Sequence, residues 1–330
     1  MRDEVAWTEA GRAALAEGET PLVDPKEAAK RVKVLVAEHA AEWKRGVDLK
    51  KQSEEALALT AIALVWKPTS RLEVRQLAAL VTLASAEDDT VPWFAEWIVT
   101  KHGPEVALRV LIEMWPLVVH EQGKTKRQVW LSVREPDDDH IHDTSVSWGK
   151  RHFTDYLRVR LRGASRAELI AKLWPMCPSY ARTALAIALE DHAHAAQIAR
   201  ELLESDDPHP YYPFETLPHV LRDLELVEAT MKRRHEEVSY QMVENLGVAG
   251  IPLFVAQLAK SMSSHARRDV IETAANLKSA RLAMIFAEYA GQQPYAPVVA
   301  AYFQRHRDLL ELVLADPELR YYHDELRALQ

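Results

Sequence analysis

Short amphipathic stretches begin about every fourteen residues over much of this chain. One run starts near Ser165, Ser179 and His192, and another near Gly250, Ser264, Lys278, Pro294 and Arg307. A stretch that short cannot bury its apolar face alone. Stacking on its neighbours is the natural solution, so the period predicts a helical-repeat architecture.

The individual elements follow from their start and stop residues. Residues 3–17 read as a first helix. Asp24-Pro25 opens the next, with Asp24 as N-cap, Pro25 at the first helical position and Glu27 as capping-box partner. Ala28, Val32, Leu35, Val36, His39, Ala40 and Trp43 carry its apolar face to about Arg45. Stretches 49–66, 71–87, 91–101 and 104–120 follow, bordered by Pro68, Pro92 and Pro104.

Between Gln122 and Trp148 the helical period breaks. Val129, Leu131 and Val133 alternate with polar neighbours in strand fashion, an acidic turn covers 135–139, and Ile141, Val146 and Trp148 follow. The expectation is a small β-hairpin or a long ordered loop, inserted between helical blocks where loops often carry function. Helices resume at 149–162, 165–174, 179–190 and 192–205 and stop at a proline-rich link. They run again from 215 to 328, with brief turns that make consecutive helices antiparallel neighbours.

The expected organisation is therefore a helical block at 1–122, an insertion at 123–147 and repeats at 148–205. The link at 206–214 and further repeats at 215–330 complete it. The expected fold class is all-α: a right-handed HEAT- or armadillo-like α-solenoid of antiparallel helix pairs.

Composition sharpens this picture. Glycine supplies 10 of 330 residues, well under the typical ~7%. That argues against β-barrels and Gly-rich phosphate or dinucleotide loops, which need glycine where φ is positive. Hydrophobic content of 48% with 27% charged residues is that of a well-packed chain. The single cysteine, Cys177, excludes an internal disulfide and a thiolate metal cluster, and its apolar turn marks it as a small buried hydrophobe. Met1-Arg2-Asp3-Glu4 lacks the order of a signal peptide. No apolar run approaches the ~18–20 residues of a membrane span, and a cytoplasmic location without a membrane partner is expected. The net charge of −8 gives no general attraction to nucleic acid.

One segment carries a resemblance. Ala275-Asn276-Leu277-Lys278-Ser279-Ala280-Arg281 is followed by Ala287-Glu288-Tyr289-Ala290 and Ala300-Ala301-Tyr302-Phe303-Gln304-Arg305-His306. This segment, about Ala274 to Leu314, resembles the helical repeats of bacterial MolR-type proteins, often found with a WGR domain. Those repeats are similar to degenerate HEAT or armadillo units, although Arg307 stands where the family pattern has proline. The resemblance implies an α-solenoid scaffold and carries over no catalytic residues. Trp148-Gly149-Lys150 matches most of the WGR tripeptide, but the flanking sequence is helical, unlike that β-rich domain.

Chemistry-bearing clusters are few. In the loop 137–143, Asp139, His140, His142 and Asp143 are the candidate metal ligands, since the two histidines of a strand two apart share a side. A calcium loop starting at Asp137 would need glycine and glutamate where His142 and Trp148 stand. The competing reading is a solvated acidic turn, and no metal is expected. Asp191 reads as the N-cap of a helix whose His192 and His194 face different directions. No nucleophile elbow, phosphate loop or cofactor motif is present, and no catalytic residue is assigned. The aromatic groups Trp93, Phe94 and Trp97, and Tyr211, Tyr212 and Phe214, read as packing.

Charge distribution is the remaining clue. Lys150 to Lys172 holds seven basic and two acidic residues, a local +5. Arg151, Asp155, Arg158 and Arg162 share one helical face, Arg166 follows, and Arg233, Arg234, Arg267 and Arg268 extend the candidate binding set. The expected function is a noncatalytic scaffold presenting a concave surface to a protein partner. The alternative is an anion- or nucleic-acid-binding repeat protein, with an enzyme of unrecognised site as its extreme form. Against both stands a solvated face whose arginines pair internally.

Overall fold

The computed structural model of the chain describes residues 6–7, 22–47, 52–67, 70–123, 126–133, 144–205, 217–234, 242, 245–259 and 263–329. They are mostly helical and divide into two compact units. One unit lies within Glu19–Ile198. The other is formed mainly from Ala199 onward together with the first residues of the chain.

In the first unit, helix α1 (Pro25–Val47) opens at the expected place. Asp24 Oδ1 accepts the Lys26 N–H at 2.8 Å, satisfying one donor that the first turn leaves unpaired. Glu27 does not complete a capping box; its carboxylate accepts from Lys30 Nζ at 2.9 Å. Helix α2 (Glu54–Leu64) is capped by Ser53, whose Oγ accepts from Ala56 N–H. In helix α3 (Val74–Ala84) Glu73 and Gln76 form a reciprocal capping box. Helices α4 (Val91–His102) and α5 (Pro104–Met114) meet at Gly103, whose φ of 87° few other residues adopt cheaply.

Strands β2 (Leu117–Gln122) and β3 (Gln128–Val133) form an antiparallel hairpin, with Leu117 opposite Val133 and Gln122 opposite Gln128. A hairpin is thus present, but its first strand occupies the end of the stretch read as a helix over 104–120. Pro116 explains the difference, because proline disfavours helix at the preceding residue and stops α5 at Met114. Val118 and Val119 then favour extended backbone. The expected second strand around Val146 is instead the start of helix α6 (Thr144–Arg160), which also contains Trp148-Gly149-Lys150. Helices α7 (Arg166–Leu173), α8 (Ser179–Ala188) and α9 (His192–Glu204) follow at the sequence period, the residues of α9 from Ala199 on being assigned to the second unit.

The core of this unit is one cluster running from Ala28 to Leu189. Helix α3 lies deepest, buried at every position from Leu77 to Ala84. Leu117, Val119, Val129 and Leu131 belong to the same cluster, so the hairpin is integral to the core rather than an insertion upon it. Two glycines permit close approach. A Cβ on Gly46 would stand 1.9 Å from the Val129 carbonyl oxygen, and one on Gly149 would stand 2.2 Å from Ser85 Cβ. Packing joins helices one and two apart, such as α3 with α5 and α6 with α8. It also joins α1 with α4, and β3 with α1, α2 and α3.

The second unit contains helices α10 (Leu224–Arg234), α11 (Ile251–Leu258), α12 (Ser264–Ala274), α13 (Ala280–Ala287), α14 (Ala296–Arg305), α15 (Arg307–Leu314) and α16 (His323–Arg327). The period starting near Gly250 is reproduced to within two residues. Strand β1 (Ala6–Trp7) pairs antiparallel with β4 (Leu277–Lys278). Ala6 and Trp7 are therefore extended where the sequence predicted the helix 3–17, and the rest of that stretch lies outside the described residues. Strand pairing with a distant segment overrides local propensity here. Phe254, Phe286, Tyr302, Phe303 and Val313 are buried in this unit, where α13 packs on α14 and α15. Among the described residues, no helix is long and apolar enough to cross a membrane.

Candidate functional site

Helix α6 delivers Arg151, Asp155 and Arg158 to one face, as the four- and three-residue spacing predicts. Arg162 stands in the turn after α6, and Arg166 opens α7. A residue that the charge pattern did not single out organises them. Glu190 follows α8 with φ of 48°, and the turn it makes is a left-handed C-terminal cap. Its N–H donates to Ile187 O at 3.0 Å, and Asp191 N–H donates to Ala186 O at 2.9 Å. Glycine is the usual residue at this position, because a Cβ is strained there.

Three arginines converge on that carboxylate. Arg166 Nη1 donates to Glu190 Oε2, while Arg158 Nη1 and Arg162 Nη2 each lie 4.0 Å from Oε1. Arg166 is further fixed by donating to the Arg158 and Leu161 carbonyl oxygens, at 3.0 and 3.3 Å. Those carbonyls belong to the last turn of α6 and the residue just after it, where a cation also suits the helix dipole. On the other side, Asp155 lies 3.9 Å from Arg151 Nε and 4.0 Å from Arg158 Nε. Burial raises the Asp155 carboxyl above its ordinary range, partly offset by Arg158, Arg151 and His152. Arg158 is only 8% exposed, and its Nε has no hydrogen-bond partner among the described residues.

The sequence-derived binding set is thus divided. Arg151, Arg158, Arg162 and Arg166 come together in the first unit. Arg233, Arg234, Arg267 and Arg268 belong to the other, and the side chains of Arg233 and Arg234 lie outside the described residues. Arg268 pairs with Glu272 one turn on at 2.7 Å, and Arg267 faces Tyr289. Asp139, His140, His142 and Asp143 also lie outside the described residues, as does the link 206–214. Among the described residues no group of three or more His, Cys, Asp or Glu side chains is placed to hold a metal ion.

A second polar cluster is buried beneath the same helix. Glu96, fully buried on α4, accepts from Tyr156 Oη at 2.7 Å, Arg160 Nε at 2.8 Å and Thr100 Oγ1 at 2.8 Å. Tyr156 Oη in turn accepts the Val23 N–H at 3.3 Å. Burial and the Glu96 carboxylate push the Tyr156 hydroxyl pKa well up, so it remains a donor. The Tyr156, Arg160 and Val23 contacts tie elements together, while Thr100 lies one turn on in α4 itself. Glu96 sits in an apolar helix, and its sequence position gave no hint of three partners.

The other reactive candidates are accounted for by packing. Cys177 is 3% exposed, and burial pushes its thiol up to about 11, the reverse of an activated nucleophile. Asp191 caps α9 as the sequence predicts, accepting the His194 N–H at 3.1 Å and meeting His194 Nδ1 at 2.8 Å. Phe94 and Trp97 are core residues, and Trp97 packs edge-on against Trp66 at 5.3 Å. Comparisons with known protein families, with characterised proteins and with solved structures find no match to this chain.

Proposed function

We propose that the chain is a noncatalytic helical scaffold that docks an acidic segment of a protein partner on the arginine face of α6 and α7. The observation that carries this reading is the convergence of Arg158, Arg162 and Arg166 on one point, with Arg151 alongside. The Arg162 side chain is 43% exposed and that of Arg151 is 32% exposed, so the face meets solvent. Arginine suits such a role, because its planar, weakly hydrated fork loses little on desolvation and matches carboxylates bidentately.

The engagement of Glu96 in structural bonds and the insulation of Cys177 support a binding role over a catalytic one. A HEAT-like stack with a concave wall is part of the proposal. Helix contacts one and two apart, and the likeness of 274–314 to MolR-type repeats, support it.

The test uses Arg162, which is exposed, and Arg151, which is half-buried. Arg158 is excluded because its burial would confuse binding with folding. The double variant Arg151→Ala, Arg162→Ala is expected to lose most binding of an acidic partner. Its melting temperature should stay within about 2 °C of the parent, as for surface substitutions. Full retention of partner binding would remove this face from the account.

A further inference from the structure

We propose that Arg158, Arg162 and Arg166 form a binding site for a phosphate-class oxyanion, which displaces the carboxylate of Glu190. The proposal rests on the docking reading above and names the chemical group that the arginine face recognises.

The resident carboxylate is a poor match to its surroundings. Among the described residues Arg166 is its hydrogen-bond donor, while Arg158 Nη1 and Arg162 Nη2 stand 4.0 Å from its Oε1. Good charge-assisted bonds between guanidinium and oxyanion are far shorter, at about 2.7–2.9 Å. Arg158 Nε is a buried donor with no hydrogen-bond partner among the described residues, an arrangement that is costly to maintain. A carboxylate offers its acceptor sites in one plane, which suits fewer approach directions than three forks from separate positions present. A tetrahedral oxyanion spreads its oxygens in three dimensions and suits more.

The elements around the site allow the exchange. Glu190 sits in a turn held by backbone hydrogen bonds to Ile187 and Ala186, which its side chain can leave without breaking. The left-handed backbone would be easier for glycine, so a glutamate here supplies a carboxylate at the cost of strain. Asp155, 4.0 Å from Arg158 Nε, is a second acid beside the site, and it occupies the Arg151 side of Arg158 rather than the Glu190 side. Glu190 is then an internal competitor that keeps the arginines ordered until an oxyanion arrives.

Calorimetric titration of the whole chain with inorganic phosphate at low ionic strength tests this. The wild type should give a saturable signal. Glu190→Gly, which places the usual residue at this helix end, should bind roughly tenfold tighter once the competitor is gone. Arg162→Ala should bind roughly tenfold weaker, the worth of one charge-assisted bond. A phosphoserine peptide run in parallel separates the sources. Tighter binding than inorganic phosphate places the group on a partner, and weaker binding marks free phosphate as the ligand. Absence of saturation in both wild type and Glu190→Gly, with native circular dichroism, overturns the proposal and leaves Glu190 as a structural staple. So does binding that Arg162→Ala leaves unchanged. Partner docking would still be judged separately, by the Arg151 and Arg162 double variant.

Discussion

His306 shows how one side chain can couple stability to pH. It stands at the junction of α14 and α15, 8% exposed, edge-on to Tyr302, with no hydrogen-bond partner for Nε2 among the described residues. Burial lowers its pKa below the ordinary 6.5, and Arg305 and Lys278 lower it further, against a smaller raising effect of Asp308. The unfolded chain therefore takes up this proton at higher pH than the folded one. The neutral ring's contribution is intact above about pH 6.5 and is lost as pH falls toward the depressed folded value. Urea melts should show stability falling as the pH drops below about 6.5, and falling less steeply in His306→Asn. Equal pH slopes in the two proteins would refute this role for His306. Glu190 makes a different point at the same scale. Its three arginines were conspicuous in the sequence, but a lone glutamate after an alanine-rich helix was not. Its importance comes from a backbone conformation that residue type alone does not announce.

At the scale of elements, starts were easier to read than stops. Asp24, Asp191, Ser263 and Ser279 all accept backbone N–H groups at helix beginnings, a role their short polar side chains perform locally. The hairpin was harder. Its second strand, with Val129 and Leu131 buried and Trp130 turned outward, follows strict alternation and was visible. Its first strand, Leu117-Val118-Val119, is a continuous apolar run, and such runs do not separate strand from helix by period. The hairpin is held on α1 by the missing side chain of Gly46. It is also held by Arg127, which pairs with Glu87 and Glu121 and lies 3.8 Å from Glu42. Gly46→Ala would drive a methyl group into the Val129 carbonyl and push β3 from α1. The expected loss is roughly 2 kcal/mol, as for other overpacked sites, measured by chemical denaturation. A change under about 0.5 kcal/mol would mean that the hairpin shifts freely on the helix.

For the molecule as a whole, the deciding contacts are distant in sequence. Glu96 joins α4 to α6 through Tyr156 and Arg160, and through Tyr156 to Val23 ahead of α1. Glu96→Ala would leave a buried hydroxyl and a half-buried guanidinium without their acceptor. The expected cost is about 3 kcal/mol, with Glu96→Gln falling between it and the parent. Identical melts for Glu96→Ala and the parent would show that water replaces the carboxylate at no cost. The two compact units each bury their own aromatic side chains, Phe94 and Phe153 in one and Phe286 and Tyr302 in the other.

By itself the sequence determined the helical class, the period and most helix starts. These depend on local hydrogen bonding and on the angular spacing of apolar residues, which are properties of neighbours along the chain. Only the tertiary structure decided that Ala6-Trp7 pairs with Leu277-Lys278, that the hairpin enters the core, and that three arginines close on Glu190. Each of those outcomes depends on groups far apart in sequence, whose desolvation and mutual fit no local pattern records.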